Sequence, residues 1–209
     1  MKYKMQRNTR KGKLLVFTGV DGSGKTTLLN ISKQFLNKQG IDFIVTKMPS
    51  DRIRQIDVFR NFHDSNDEKV RNKVGVFGLT VLASGDRLIV QDTDIIPNLE
   101  KGIWVLCDRY CYTGNVRCDD PIITAITEMF IMPDMAFLAT ASAPILKQRV
   151  LDREDEKELY YDDDGVDAQV VKYNQIAKDN DFFVINTEQD YRTMEDEIKS
   201  LILSLITIC

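Results

Sequence analysis

Five short apolar runs are set along the chain at wide intervals: Leu14-Leu15-Val16-Phe17, Ile41 to Thr46, Ile103-Trp104-Val105-Leu106-Cys107, Met135 to Thr140, and Phe182-Phe183-Val184-Ile185. Their length and composition predict strands. Between them the apolar positions recur at helical spacing. This holds from Thr27 to Leu36, from Asp67 to Val90 as one or two long helices, from Ala143 onward, and from Tyr191 to the end. Strands alternating with helices, with no repeat, linker or low-complexity break, predict an α/β fold. Its parallel sheet of five strands is flanked by helices in a three-layer arrangement. In such sheets ligands bind beyond the carboxyl ends of the strands.

A chain of 209 residues fits one domain with a sizeable core, expected here over residues 13–209. Lys2, Lys4, Arg7, Arg10, Lys11 and Lys13 crowd the start of the chain, and residues 1–12 are expected to be a flexible basic arm. No apolar run long enough for a signal peptide follows them. The apolar stretch Leu201 to Ile208 is much too short to span a bilayer and predicts the buried face of the last helix. A formal net charge of −4 argues against a nucleic-acid scaffold, so any phosphate chemistry needs locally concentrated positive charge. Cys107, Cys111, Cys118 and Cys209 lack paired zinc spacing, and His63 is the one histidine. These features argue against structural zinc and point to a reducing, cytoplasmic setting without membrane attachment.

Chemistry enters directly after the first strand. Gly19-Val20-Asp21-Gly22-Ser23-Gly24-Lys25-Thr26 follows the pattern Gly, four residues, Gly-Lys-Thr, with a strand before it and a helix after it. Glycines let backbone N–H groups converge on an anion, and the new helix adds the positive end of its dipole. Lys25 can reach the outer phosphates of a nucleotide, and the Thr26 hydroxyl can ligate Mg²⁺. Gly19, Asp21, Gly22, Ser23, Gly24, Lys25, Thr26 and Thr27 are therefore the expected donor-phosphate residues. The third strand ends at Asp108, where an acid can help hold Mg²⁺. Arg109 follows and can fork onto a phosphate with two parallel hydrogen bonds.

Taken in order, these landmarks resemble the thymidylate kinases, a family of nucleoside-monophosphate kinases with a P-loop kinase fold. The similar segments are the phosphate loop, Met48-Pro49-Ser50-Asp51-Arg52, Ala83-Ser84-Gly85-Asp86-Arg87, Asp108-Arg109-Tyr110 with Thr113-Gly114, Pro133-Asp134, and Asn186-Thr187-Glu188-Gln189. The resemblance implies a transferase of nucleotide biosynthesis. It would move the γ-phosphoryl of MgATP to a deoxynucleoside monophosphate, dTMP first among them, and would work as a homodimer. Under it, Lys25, Arg109, Arg153 and Asp21 are the catalytic residues. Arg149 and Thr187 join the phosphate loop in holding ATP, and Thr26 and Asp108 serve the metal. Asp21, Arg52, Arg87, Arg109, Tyr110, Thr113 and Gly114 line the acceptor, with Arg54 an alternative to Arg52.

Arg149 and Arg153 stand four apart, on one face of a helix, within an expected lid over residues 149–165. A cation closing on the moving phosphoryl group stabilises the charge spread over it. Ser23 takes the loop position where some family members place an arginine, which leaves that duty to the lid. Two positions depart from the family. Ala83 stands where an aromatic ring is expected to stack on the base, and Arg117 where an aromatic is expected beside the sugar. Phe77, Tyr110 and Tyr112 are the candidate substitutes for a ring. These departures keep two other functions in view: a deoxynucleoside kinase, and a nucleotide-binding regulator without turnover.

Overall fold

Leu14–Thr18 is buried at every position and forms the middle strand of the main sheet. The computed structural model describes residues 1–64, 75–152 and 163–207. Its strands are β1 (Gln6–Arg7), β2 (Leu14–Thr18), β3 (Phe43–Lys47), β4 (Trp104–Asp108), β5 (Ile131–Met132), β6 (Met135–Thr140) and β7 (Phe183–Asn186). Its helices are α1 (Lys25–Lys38), α2 (Asp57–Asp64), α3 (Val76–Val90), α4 (Ile96–Glu100), α5 (Tyr112–Arg117), α6 (Pro121–Glu128), α7 (Ala143–Leu151), α8 (Asp163–Asp179) and α9 (Tyr191–Thr207).

The five-stranded sheet runs β3-β4-β2-β6-β7, and every neighbouring pair is parallel. Successive side chains of β2 enter opposite cores, as the period of two requires. Leu14 and Val16 join a cluster with Val105, Cys107 and Leu138, while Leu15 and Phe17 join Leu106, Phe137 and Ile185. Helices α1 and α9 cover the second face, and α8 covers the first, giving the three-layer α/β fold that the alternation predicts. Both neighbours of β2 come later in the chain, so a crevice opens at the carboxyl ends of β2 and β4.

The helical pattern of residues 67–90 resolves into α3, which begins at Val76; residues 65–74 lie outside the described ones. One expectation about the N-terminal arm changes. Tyr3 and Met5 are buried, and Gln6 and Arg7 pair in parallel with Ile131 and Met132. The arm is therefore packed rather than flexible, because it alternates Lys2, Tyr3, Lys4, Met5, one face apolar and one basic. No described helix is long and apolar enough to cross a membrane.

Candidate active site

The loop between β2 and α1 needs its glycines for space as well as for conformation. Gly19, Gly22 and Gly24 have φ of 138°, 79° and 91°. A Cβ on Gly19 would stand 2.4 Å from the Ala139 carbonyl, and one on Gly24 3.0 Å from the Thr187 side chain. The loop is thus wrapped against β6 and the segment after β7. Within it, Lys25 Nζ donates to the Val20 carbonyl at 2.8 Å and lies 3.7 Å from Asp21. Thr26 is exposed at the head of α1, and the Ser23 side chain is buried.

Arg109 meets this loop from β4. Its φ of 64° is a left-handed conformation that costs a non-glycine residue energy. That backbone is fixed by its own N–H, which donates to the Phe17 carbonyl at 2.8 Å, and by its carbonyl, which accepts from Cys107 Sγ at 2.9 Å. The side chain turns back and Nη2 donates to Asp21 in an ion pair. Burial alone would raise the Asp21 carboxyl. The charges of Arg109, Lys25 and Arg117 outweigh it and hold the group well below the usual carboxylate range. Burial would lower Arg109, but Asp21, Tyr173 and Asp108 together outweigh it, so the guanidinium is held more firmly charged. The phosphate loop and the strand-end arginine are thereby joined through one carboxylate.

Asp108, one residue earlier, has a buried Oδ1 without a hydrogen-bond partner among the described residues. A buried carboxylate oxygen left unpaired suits a cation. Among the described residues no three His, Cys, Asp or Glu side chains cluster tightly enough to hold a metal by themselves. Mg²⁺ held by Thr26, Asp108 and the phosphates of a nucleotide fits that donor set.

On the other side of the loop lies a cavity of about 320 Å³ lined by Gly22, Gly24, Thr27, Arg149, Thr187 and Met194. Arg149 is fastened there: Nη1 donates to Thr187 Oγ1 and Nη2 to the Thr187 carbonyl, both at 2.8 Å. Thr187 Oγ1 in turn lies 2.9 Å from the Ser23 carbonyl. Met194, on α9, was not among the expected residues; a lone methionine in an amphipathic helix carries no sequence signal beyond core packing. Arg153 and most of the expected lid lie outside the described residues.

Arg87 is the residue expected at the acceptor base. It projects from α3, is 3% exposed, and its Nε and Nη1 have no hydrogen-bond partner among the described residues. Burial pushes the guanidinium down to about 10, so it stays charged at neutral pH. Thr113 Oγ1 lies 3.2 Å from the Tyr173 hydroxyl, and Gly114 lets α5 approach Ile123 and Ser84 closely. Tyr173, on α8, was missed for the same reason as Met194. Tyr110, expected at the acceptor, is fully buried instead, its hydroxyl donating to the Ile131 carbonyl at 2.9 Å. Its neighbours in sequence are strand-end residues, and the turn at Arg109 sends it into the core. Tyr112 is likewise buried, against Met5, and Phe77 is exposed, so none of the three offers a ring beside Ala83. Ala83 packs with Ile53, Phe59 and Leu79, and Phe62 lies against this cluster. Arg52 and Arg54 are both exposed, with Arg54 Nε 3.9 Å from Asp51.

Residues 17–198 match the family described as thymidylate kinase. The chain belongs to the thymidylate kinase family. It is similar to the thymidylate kinase of Afipia carboxidovorans, 28% identical over 90% of this chain and 87% of that one. It is 27% identical to the thymidylate kinase of Thermosipho melanesiensis, over 92% and 98% of the two chains. A probable thymidylate kinase of Pyrococcus abyssi matches half of each chain at 32% identity. As a member of this family, the protein is a nucleoside-monophosphate kinase that binds ATP with Mg²⁺.

Proposed function

We propose that the protein transfers the γ-phosphoryl of MgATP to dTMP, giving dTDP and ADP. The observation that carries this reading is the Asp21–Arg109 pair. It sets a phosphate-binding arginine beside the donor loop, where a second phosphate has to come in line. An acceptor oxygen forms the new bond to the γ-phosphorus while the bond to the β,γ-bridging oxygen breaks, and ADP carries away that electron pair. The acceptor phosphate is largely dianionic at neutral pH, so no general base is required. The chain's part is to position both phosphates and to neutralise charge. Lys25 faces the donor phosphates, Arg109 the acceptor phosphate and Arg87 the base. Arg149 fixes the wall of the ATP cavity, and Arg153 closes from the lid.

Arg87 can donate to a carbonyl such as O4 of thymine or uracil but meets an amino donor on cytosine. With Ala83 in place of a ring, dTMP and dUMP should be used within about an order of magnitude of each other, because one methyl contact discriminates weakly. The test is ADP release from MgATP with dTMP, dUMP, dCMP, dGMP, UMP or thymidine, with Lys25→Ala as the inactive control. A preference for dCMP or dGMP would overturn the assignment of Arg87. Release with thymidine alone would make the enzyme a deoxynucleoside kinase, and no release at all a regulator. The site belongs in a cytoplasmic protein, since Cys107 and Cys111 are unpaired thiols. The exposed face of α3 suits a homodimer.

A further inference from the structure

We propose that Asp86 is a positioning residue for the acceptor, acting through Ser50 to hold the segment after β3 between the two elements that present Arg109 and Arg87. This rests on the reading of the site just given. The segment is tied at three places. At its start the Met48 N–H donates to the Asp108 carbonyl at 2.9 Å, and the Met48 side chain is fully buried. Two residues on, Ser50 engages both oxygens of Asp86: its N–H donates to Oδ2 and its hydroxyl to Oδ1, each at 2.6 Å. Further along, Ile53 packs with Phe59, Leu79 and Ala83. The first tie is to the last residue of β4, next to Arg109, and the second is to α3, next to Arg87. Residues 48–53 are therefore a cross-member between the two arginines proposed for the acceptor, and Arg52 stands between the second and third ties.

The ties differ in what they fix. Apolar packing at Ile53 holds the segment against α3, but it is non-directional and leaves the segment's place along the helix loosely defined. A carboxylate that accepts two short hydrogen bonds from one residue fixes both place and orientation. Ser50 and Asp86 are half-buried, which strengthens these bonds against water. The acid next to Arg87 in sequence is thus spent on Ser50, while Arg87 Nε and Nη1 have no partner among the described residues. The chain uses that acid to place a wall rather than to neutralise the arginine, and the guanidinium is left for a ligand. The cavity proposed for ATP is lined by Gly22, Gly24, Thr27, Arg149, Thr187 and Met194, none of them on this segment or on α3. Loss of the clamp therefore falls on the acceptor.

The experiment compares the wild-type chain with Ser50→Ala, Asp86→Asn, Asp86→Ala and the double variant Ser50→Ala/Asp86→Ala. It measures kcat and KM for dTMP and for MgATP. Ser50→Ala keeps the backbone bond and loses the hydroxyl one, so kcat/KM for dTMP should fall about tenfold, the lower end for a hydrogen bond to a charged group. Asp86→Ala frees the segment and should lower it about 100-fold, the scale of a small misplacement away from the chemistry. Asparagine can accept from the N–H and donate to the hydroxyl, so Asp86→Asn should recover most of that loss. The double variant should match Asp86→Ala within about twofold, because Ser50 acts only through Asp86. The KM for MgATP should stay within about twofold in all four. Unchanged dTMP kinetics in Asp86→Ala overturn the proposal. So does an equal rise in both KM values, the mark of general damage to the fold. A double variant in which the two losses multiply also overturns it, since Asp86 would then act without Ser50. If Asp86→Ala does not fold, Ser50→Ala decides alone, and an unchanged kcat/KM for dTMP overturns the proposal. Wild-type protein that phosphorylates no monophosphate would remove the function proposed above; active wild type with an indifferent Ser50–Asp86 pair removes this inference alone.

Discussion

Arg87 brings the residue scale into focus, because its placement makes no sense for the fold alone. A buried guanidinium with two nitrogens that have no partner among the described residues costs stability. Its pKa of about 10 leaves it charged in use. Arg87→Met keeps the volume and removes the charge, so the nucleotide-free protein should become more stable by about 1–3 kcal/mol, the cost of a buried unsatisfied group. For a chain of this size that is a rise in Tm of roughly 2–4 °C per kcal/mol. Acceptor kcat/KM should fall at least about 100-fold. Calorimetry without ligand and steady-state kinetics check the two signs; a lower Tm would mean that the guanidinium serves the fold. Asp21 behaves in the opposite way. Its folded pKa is lowered, so its stabilising contribution is complete above the unfolded value and is lost only as pH falls through the folded one. The Asp21–Arg109 pair thus stays charged throughout the neutral range. Asp21, Lys25, Asp108 and Arg109 were legible in the sequence because motif and strand end fix where they stand. Tyr173 and Met194 were not, since their roles come from packing between distant elements.

Elements were legible in proportion to their length. The five main strands appear within two residues of their apolar runs, and the shifts are frayed ends. The short elements β1, β5 and α5 escaped because two to six residues cannot display a period. Helix α6 had a readable start that went unused: Asp120 accepts from the Ile122 N–H at 2.8 Å and Pro121 follows the cap. On α3, Gly78, Leu82, Gly85 and Ile89 fall on one face at spacings of four, three and four. Gly78, Gly85 and Ile89 are exposed, and a methyl group added at either glycine would meet nothing within 4 Å. Glycine inside an exposed helix costs about 1 kcal/mol against alanine, and in the proposed dimer a close helix contact between two copies would offset it. Gly85→Arg should convert the proposed dimer to a monomer by sedimentation velocity. Wild-type protein that sediments as a monomer at tens of micromolar would refute the interface; a variant that stays dimeric would move it elsewhere.

At the scale of the molecule, the N-terminal arm ties together α5, α6 and the end of α8. Tyr3 packs on Tyr112 of α5 with ring centres 5.8 Å apart, and the Tyr3 N–H donates to Asn180 at 2.9 Å, just beyond α8. The Lys4 N–H donates to Glu128 of α6 at 3.0 Å, and β1 pairs with β5. Helices α5 and α8 carry Thr113 and Tyr173, on the side proposed for the acceptor, whereas the cavity proposed for ATP is built from the loop, α7, Thr187 and α9. Removing residues 1–7 deletes two buried large side chains, Tyr3 and Met5, worth about 1.5–3 kcal/mol each as an upper figure. A net loss of roughly 2–4 kcal/mol follows, which at roughly 2–4 °C per kcal/mol lowers Tm by about 4–16 °C. The acceptor side should suffer more than the donor side, so the KM for dTMP should rise several-fold while that for MgATP holds. Tyr3→Ala should reproduce part of both effects, because the ring on Tyr112 is the arm's main contact with α5. A truncated protein that melts within about a degree of the full chain would return the arm to a passive tail. One that loses stability but keeps both KM values would show that its hold on α5 does not reach the proposed acceptor site.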